Sequence, residues 1–399
     1  MAHGCNASSD PTSVDQCRYP VPVRHPRLAL VLTAAVLAAT TLLASQVDAG
    51  ASTNSPPAQQ VSTITLKSAK AYQPHAQPGT TDDYHCTLLD PHVTKSSYIL
   101  SSQFAPGSNE DHHAALFLVP PSIAAIARKN HTIGKGWTCF GEAALPGTTL
   151  AQFLQSPFLS IWAPGHGADV LTKGTGIPLP VGSLVIIQVH YNLLIGDKAV
   201  KDSLVLHTVP VSKATVPLNL ELVLSPPDLP CPAGVTGPLC DRAASVADQG
   251  KRFGKNSMDY VNGIEQMCGH DPATAPVSNS TSCDKSINSD GYITRTQAHM
   301  HLLATSFSMV LDPGTPQERT VLDIPHYDFH NQLAYNLKKP IAIKKGETVR
   351  ITCTYDPKLA QELPTLRKAP PHYVTWGDGS TDEMCIGLMW TAKTLPKAA

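Results

Sequence analysis

The chain has 399 residues and a formal net charge of −1, with 30 basic and 31 acidic residues. This balance gives no electrostatic basis for binding nucleic acid or an acidic membrane surface. Charged residues make up 15% of the sequence, below the roughly 25% of an average protein, and there are 35 prolines. These features, together with the lack of long amphipathic helical repeats, favour an all-β chain with many turns.

The first element in chain order is an uncharged apolar stretch at residues 28–47, preceded by Arg18, Arg24 and Arg27. It is long enough to span a bilayer. The positive charge before it predicts that residues 1–27 form a cytoplasmic leader and that the rest of the chain is exported. Residues 47–49 resemble a small-residue cleavage site. The segment is therefore predicted to be either a transmembrane anchor, which would attach the protein to a membrane, or a cleaved signal of a secreted protein.

Short strand candidates dominate the remainder of the chain. Residues 48–80 are rich in Ser, Thr, Pro, Gln and Ala and predict a flexible linker. A proline-rich boundary near residues 209–217 divides the strand candidates into an N-terminal domain at 81–212 and a C-terminal domain at 213–395. We predict that each is an antiparallel β-sandwich of the jelly-roll type, in tandem. The best candidates are residues 97–104, 114–119, 183–191, 218–224, 302–311, 319–324 and 348–355.

Ten cysteines indicate an oxidising compartment. Eight of them follow the apolar stretch, and an even number of cysteines in such a compartment predicts disulfides. The sequence contains no CxxC pair, so binding of zinc by these cysteines is the weaker interpretation. Residues 231–295 are polar and contain four of these cysteines, so we expect a long insertion held by disulfides. Asn130 and Asn279 begin N-x-[ST] triplets that are acceptors for glycosylation in a host that glycosylates.

Three histidine features are candidates for metal binding. His299 and His301 are two residues apart, so in a strand they share a face and can bind one ion. His190 ends the most apolar strand candidate. His112 and His113 are adjacent, and adjacent residues of a strand point to opposite faces, so they can chelate together only at a strand end or a bulge.

Spacing alone does not separate these histidines from others. His326 and His330 look equally suitable, and close pairs arise by chance among 17 histidines. A thioether ligand would favour Cu(I), but spacing does not indicate which of seven methionines would provide it. From residue chemistry alone the chain is an exported protein with a possible metal site.

Read in order, the motifs resemble the type II ascorbate-dependent copper monooxygenases, the family of dopamine beta-hydroxylase and peptidylglycine alpha-hydroxylating monooxygenase. The resemblance covers about residues 81–392. The shared order of the motifs and a closing Glu-Met-Cys make it specific. The matching pieces are DDYHC at 82–86, HHAALF at 112–117, QVHYN at 188–192, QAHMH at 297–301, IPHYDFHNQ at 324–332, KKGETVRITCTYD at 344–356 and STDEMC at 380–385.

The resemblance implies two copper ions per chain, with ascorbate or a similar electron donor. The ligands of the copper that passes an electron would be His112, His113 and His190. The ligands of the catalytic copper, which binds oxygen beside the substrate, would be His299, His301 and Met384.

The resemblance also implies roles for supporting residues. Two disulfides would join Cys86 to Cys139 and Cys353 to Cys385, and we expect both to act as scaffold. Tyr84 and Gln188 would orient the ligands of the first copper, with plain packing as the alternative.

These roles predict an enzyme that hydroxylates a C–H bond of a small molecule with O₂. Peptide-amidating members of the family hold a peptide carboxylate at positions that are Gln297, Ile386 and Leu388 here, so the implied substrate is apolar or aromatic instead. One alternative is an exported copper-binding protein without catalysis. Another is a zinc-stabilised adhesion sandwich.

Overall fold

The computed structural model describes residues 60–76, 82–109, 111–139, 158–163, 166–193, 196–364 and 366–396. The leader at 1–27 and the apolar stretch at 28–47 lie outside these ranges. Within them, no helix is both long enough and apolar enough to cross a bilayer.

Strands before residue 218 pair only with one another. In chain order they are β1 Ser62–Lys67, β2 Asp82–Leu89, β3 Ser97–Ala105, β4 Asp111–Val119, β5 Gly136–Thr138, β6 Phe158–Trp162, β7 Asp169–Val170, β8 Thr175–Leu179, β9 Leu184–Asn192, β10 Ser203–Pro210 and β11 Val216–Pro217. One sheet has the order β1-β10-β3-β8-β11, with β7 also paired to β3, and the other has the order β5-β2-β9-β4-β6.

The later strands form three further sheets, ordered β12-β21-β15-β18, β14-β19-β16-β17 and β13-β20. These strands are β12 Asn219–Leu224, β13 Asp228–Leu229, β14 Ser280–Ser286, β15 Gly291–His299, β16 Ala304–Leu311, β17 Arg319–Ile324, β18 Ala334–Ile343, β19 Thr348–Tyr355, β20 Val374–Thr375 and β21 Ile386–Ala392. The helices are α1 Pro121–Asn130, α2 Arg242–Phe253, α3 Lys255–Met267 and α4 Leu359–Glu362, with a 3₁₀ turn at Leu366–Lys368.

The protein is mostly β, but the predicted pair of all-β sandwiches is too simple. The described strands form five separate sheets, and four α-helices accompany them. One apolar core cluster contains Leu116 and Phe158 from the first half together with Leu222 and Trp390 from the second half. Because this core continues across the halves, the sheets do not close into two independent sandwiches. The division at residues 212/213 remains a prediction; strand pairing changes partners between Pro217 and Asn219.

The strand candidates are confirmed, with ends within a few residues of those predicted. In β19 the residues Val349, Ile351, Cys353 and Tyr355 are buried and alternate with half-buried polar residues, as the period-two pattern indicates. In β9 the apolar run is covered on both faces, since Val185, Ile186 and Ile187 are each 2% exposed or less.

The predicted linker at 48–80 is wrong at Ser62–Lys67, which form strand β1. This strand pairs along its whole length with β10. Its apolar residues Ile64 and Leu66 alternate with polar ones, and Leu66 is 5% exposed in the core. The composition of the surrounding residues concealed this short period-two pattern.

Residues 231–295 contain two helices that the sequence did not predict. Helix α2 is capped by Asp241, whose carboxylate accepts a hydrogen bond from the N–H of Ala244 at 2.8 Å. Gly254, with φ of 91°, joins α2 to α3 in a conformation that favours glycine. The insertion is stapled as expected, by disulfides Cys231–Cys240 and Cys268–Cys283.

Two more disulfides join Cys86 to Cys139 and Cys353 to Cys385. These are the pairs that the resemblance implies. The first links β2 to the residue after β5. The second links β19 to the residue before β21. Together, the four disulfides indicate an extracellular or secreted protein.

Candidate metal sites

The first candidate site is a cluster of three histidines on neighbouring strands. His113 on β4 lies opposite His190 on β9, and the register of this pair shifts between Asp111 and His113. This irregularity allows the adjacent residues His112 and His113 to lie on the same side of the strand, as a bulge permits. One nitrogen atom from each of His112, His113 and His190 lies within 4.8 Å of the other two, and all three residues are buried.

His190 is held from three directions. Its Nε2–H donates to the Asp82 carboxylate at 2.9 Å, and the Ser380 hydroxyl lies 3.1 Å from the same nitrogen. Its ring stacks on Tyr84 with centroids 4.3 Å apart. Its Nδ1 therefore faces His113 Nε2, at 2.9 Å. A carboxylate bonded to the outer nitrogen of a histidine is the usual way to fix the tautomer of a metal ligand.

Tyr84 and Gln188, the two residues predicted to orient these histidines, differ in their contacts. Tyr84 contacts His190 directly through the stacked rings. Gln188 does not hydrogen-bond to the histidines; its Nε2 donates to the Cys139 carbonyl at 3.5 Å. Asp82 was missed, although it stands two residues before Tyr84 and so shares its strand face.

The second candidate site begins where β15 ends. His299 Nδ1–H donates to the Gln332 side-chain carbonyl at 2.6 Å, and His301 Nδ1–H donates to the Asp382 carbonyl at 3.0 Å. Both histidines therefore keep Nε2 for another partner. Their ring centroids are 5.4 Å apart, and Met384 lines the same cavity.

The Met384 segment is anchored by a buried carboxylate. Glu383 accepts hydrogen bonds from the N–H groups of His301 at 2.9 Å, Leu303 at 2.6 Å and Met384 at 3.3 Å. Burial raises the pKa of Glu383 to about 8. The Tyr355 hydroxyl donates to the Met384 carbonyl at 3.0 Å. These contacts join the end of β15 to the loop before β21, a role of Glu383 that its position in the Glu-Met-Cys motif did not reveal.

The two sets lie next to each other. The ring centroids of His113 and His299 are 6.1 Å apart. Phe329, which is 7% exposed, has its ring 5.0 Å from that of His112 and 6.1 Å from that of His301. The two sets belong to different predicted domains, 81–212 and 213–395, so this proximity is a result of the tertiary structure.

One cavity adjoins both sets. His113, His299, His301 and Met384 line it, with Tyr84 and Gln188 also at its surface. The rest of its lining has an apolar part, formed by Ala115, Phe117, Phe158, Ile161, Trp376 and Ile386, and also includes Ser257, Tyr260, Gly377 and Asp378. Gln297 and Leu388 are fully buried and do not line it; Gln297 donates to the Gln332 backbone carbonyl at 2.9 Å.

Burial keeps four of these histidines neutral. It lowers the pKa of His112 to about 3, of His301 to about 3 and of His299 to about 4, and it holds the pKa of His113 well below the ordinary value. The His112 Nδ1 is also buried without a hydrogen-bond partner. Neutral imidazoles with an unsatisfied buried nitrogen are prepared to bind a metal ion.

The competing histidine pair is not a comparable site. His326 is exposed. His330 is also exposed, with its ring centroid 5.5 Å from that of His112. Among the described residues, the only group of three or more histidine, cysteine or acidic side chains with metal-binding spacing is His112, His113 and His190.

Comparison with protein families finds a match for one segment of the chain. Residues 271–394 match the family model described as copper type II ascorbate-dependent monooxygenase, C-terminal domain. This match supports membership of the chain in this monooxygenase family. The match includes His299, His301 and Met384, whereas the three-histidine cluster precedes it. Members of the family depend on copper and ascorbate, as its description states.

Other comparisons add nothing to this assignment. No curated protein matches the chain. Similar solved structures include the cowpea mosaic virus top component, at 9% identity over 84% of this chain and 89% of that chain, with a TM-score of 0.24. They also include an allantoicase, at 8% identity over 79% and 80% of the two chains, with a TM-score of 0.18. These TM-scores are too low to support an argument about fold or function.

Proposed function

We propose that the protein is a monooxygenase that hydroxylates a C–H bond of a small apolar or aromatic substrate, with two copper ions, O₂ and a reductant such as ascorbate. The observation that carries the proposal is the convergence of both ligand sets on one cavity: His113 of the first set and His299, His301 and Met384 all line it. The family match of residues 271–394 supports the same reaction class.

The chemistry of the donors fits copper. His112, His113 and His190 would hold one ion, and imidazole is a good ligand for copper. His299, His301 and Met384 would hold the other, where the soft thioether favours Cu(I). Bound copper would supply one-electron transfer and oxygen activation, so that R–H, O₂, two electrons and two protons give R–OH and H₂O.

The residues around the ligands orient them and exclude water. The Gln332 side chain and the Asp382 carbonyl fix the rings of His299 and His301 by accepting hydrogen bonds from their Nδ1–H groups. Glu383 fixes the backbone of Met384. Ligand orientation by such outer contacts typically changes metal affinity or activity by about 10–100-fold.

The proposed substrate follows from the cavity wall. Phe117, Phe158, Trp376 and Ile386 offer apolar surface next to the ligand sets. Ile386 occupies one of the positions that hold a carboxylate in peptide-amidating relatives, which supports an uncharged or aromatic substrate. The other two positions are buried away from the cavity, so they do not contribute to this inference.

We further propose that the chain is exported, with residues 28–47 as a membrane anchor or a cleaved signal. The four disulfides support an oxidising environment. Asn130 and Asn279 are exposed, as glycosylation would require.

The test is oxygen consumption by the copper-loaded full chain with ascorbate, screened over phenylethylamines, 2-phenylethanol and other small apolar molecules. We expect substrate-dependent uptake above that of free copper, two coppers per chain and a hydroxylated product. Met384→Ala is expected to abolish the uptake because it removes the thioether. Met267→Ala, at an exposed methionine, is the matched control and should retain it.

Two results would contradict the proposal. Two bound coppers without uptake beyond that of free copper would leave a non-catalytic copper-binding protein. Bound zinc with indifference to ascorbate would favour a structural metal in an adhesion protein. Metal analysis before the uptake measurement separates these outcomes.

A further inference from the structure

We propose that helix α3 is a size-selecting wall of the cavity and that Tyr260 is its specificity-determining residue. This inference rests on the proposed function, because the cavity is the one that contains His299, His301 and Met384. Ser257 and Tyr260, both on α3, line that cavity with the ligands.

The wall and the metal ligands come from different segments of the chain. Helix α3 ends at Met267, whereas the match to the monooxygenase domain begins at residue 271. The matched segment contains His299, His301 and Met384. The helix therefore lies outside the matched segment that carries these ligands, and it contributes side chains to the cavity without contributing a ligand.

Tyr260 is the large side chain that the helix places at the cavity. Ser257 and Tyr260 are three residues apart and so lie on one helix face, with exposures of 6% and 5%. The Ser257 hydroxyl donates to the Gly254 carbonyl at 2.7 Å and therefore serves the start of the helix. Val261 and Ile264 lie on the same helix face and are buried in the core, with exposures of 1% and 0%, so they anchor that face of the helix.

The remaining walls define the kind of molecule that fits. Phe117 on β4 and Phe158 on β6 come from the first half of the chain, and Trp376 comes from the loop before Met384. With Tyr260 they provide aromatic surfaces from four separate elements. Such surfaces favour a planar aromatic ring, and the volume left by Tyr260 would limit how large that ring system is.

The helix pair is fastened to the same loop that carries Met384. Arg252 on α2 donates to both carboxylate oxygens of Asp382, at 3.0 and 3.1 Å. Gln249 Nε2 donates to the Thr375 hydroxyl at 2.8 Å. The disulfide Cys268–Cys283 ties the end of α3 to β14. A wall held by these contacts resists displacement, which discrimination by size requires.

The experiment measures binding rather than turnover. Anaerobic calorimetry with the copper-loaded full chain compares 2-phenylethanol with its larger analogue 2-(4-biphenylyl)ethanol. We expect the wild type to bind the smaller ligand about tenfold or more tightly. Tyr260→Ala should remove most of this preference, whereas Tyr260→Phe, which keeps the ring, should stay within about threefold of the wild-type ratio. Tyr335→Ala, at an exposed tyrosine, is the control and should not change the ratio.

The outcomes separate this inference from the proposed function. Equal changes in affinity for both ligands on Tyr260→Ala would show a merely structural role and overturn the inference, as would a wild type that binds neither ligand or does not distinguish them. Selective binding through Tyr260 without oxygen uptake would uphold the wall but refute the monooxygenase. Oxygen uptake by the wild type, together with unchanged ligand selectivity in Tyr260→Ala, would uphold the monooxygenase and overturn the role of Tyr260.

Discussion

The two candidate ligand sets are built in opposite ways. The three-histidine cluster lies on the paired strands β4 and β9, where the sheet register itself sets His113 opposite His190. The second set combines the end of β15 with a loop residue far along the chain, Met384. That loop depends on Glu383, the Cys353–Cys385 disulfide and Arg252 to stay in place. The difference indicates that the second set is the more fragile one.

The largest expected effect comes from removing the disulfide beside Met384. The double variant Cys353→Ala/Cys385→Ala should lose copper at the second set and keep it at the first, because only the second needs the loop. Loss of a native disulfide also lowers the free energy of unfolding, here by about 2–5 kcal/mol. Copper per chain and chemical denaturation measure the two effects.

The matched control for this prediction is Cys231→Ala/Cys240→Ala, which opens a short disulfide-closed loop with a sequence separation of 9. It should retain both coppers. If the Cys353/Cys385 variant also bound two coppers with wild-type affinity, the proposed dependence of the second set on this disulfide would be wrong.

A smaller effect is expected from Arg252→Met. The Asp382 carboxylate is fully buried and would lose the guanidinium that pairs with it, while Arg252 itself is 22% exposed. We expect the free energy of unfolding to fall by about 2–4 kcal/mol, since an unpaired buried charge is costly. Chemical denaturation of the metal-free protein measures the loss.

Arg350→Met provides the control, because Arg350 pairs with Asp284 at 2.6 Å in an exposed position. Its loss should change the free energy of unfolding by only about 0–1 kcal/mol. Equal effects of the two substitutions would mean that the α2 contact to the Met384 loop contributes no more than a surface ion pair.

The smallest effect concerns the pH dependence of the free energy of unfolding. It tests whether the histidines of both sets are equally shielded from solvent. Burial lowers the pKa of His299 to about 4 from 6.5, so below pH 6.5 the unfolded chain takes up a proton before the folded protein does. The metal-free protein should therefore lose stability as the pH falls from about 6.5 to about 4. His299→Gln should reduce the loss between pH 7 and pH 5 by about 1–2 kcal/mol.

His113→Gln in the first set should also reduce the loss of stability at low pH, since burial holds the pKa of His113 well below its ordinary value. His326→Gln, at an exposed histidine, is the control. Unfolding curves at several pH values provide the measurement. If neither His299→Gln nor His113→Gln changed the slope of the free energy of unfolding against pH, the proposed burial of neutral histidines in the two sets would be wrong.

The comparison also explains which parts of the site were predictable. The pattern around His112 and His113 predicted that they meet only at a strand end or bulge, and the register shift lies there. The roles of Gln332 and Glu383 were not predictable, although both stand in the quoted motifs. Their contacts depend on how distant segments pack, and spacing along one strand carries no information about that.

The sequence by itself determined the strands and the abundance of disulfides, because period-two patterning and residue chemistry are local properties. The candidate ligands followed from the resemblance of the motifs to a known family. Only the tertiary structure decided that the two ligand sets adjoin one cavity and that helix α3 supplies part of its wall. Both features arise from a core that crosses the two halves. Such long-range packing depends on the simultaneous burial of residues that are far apart in the chain, and no local pattern encodes it.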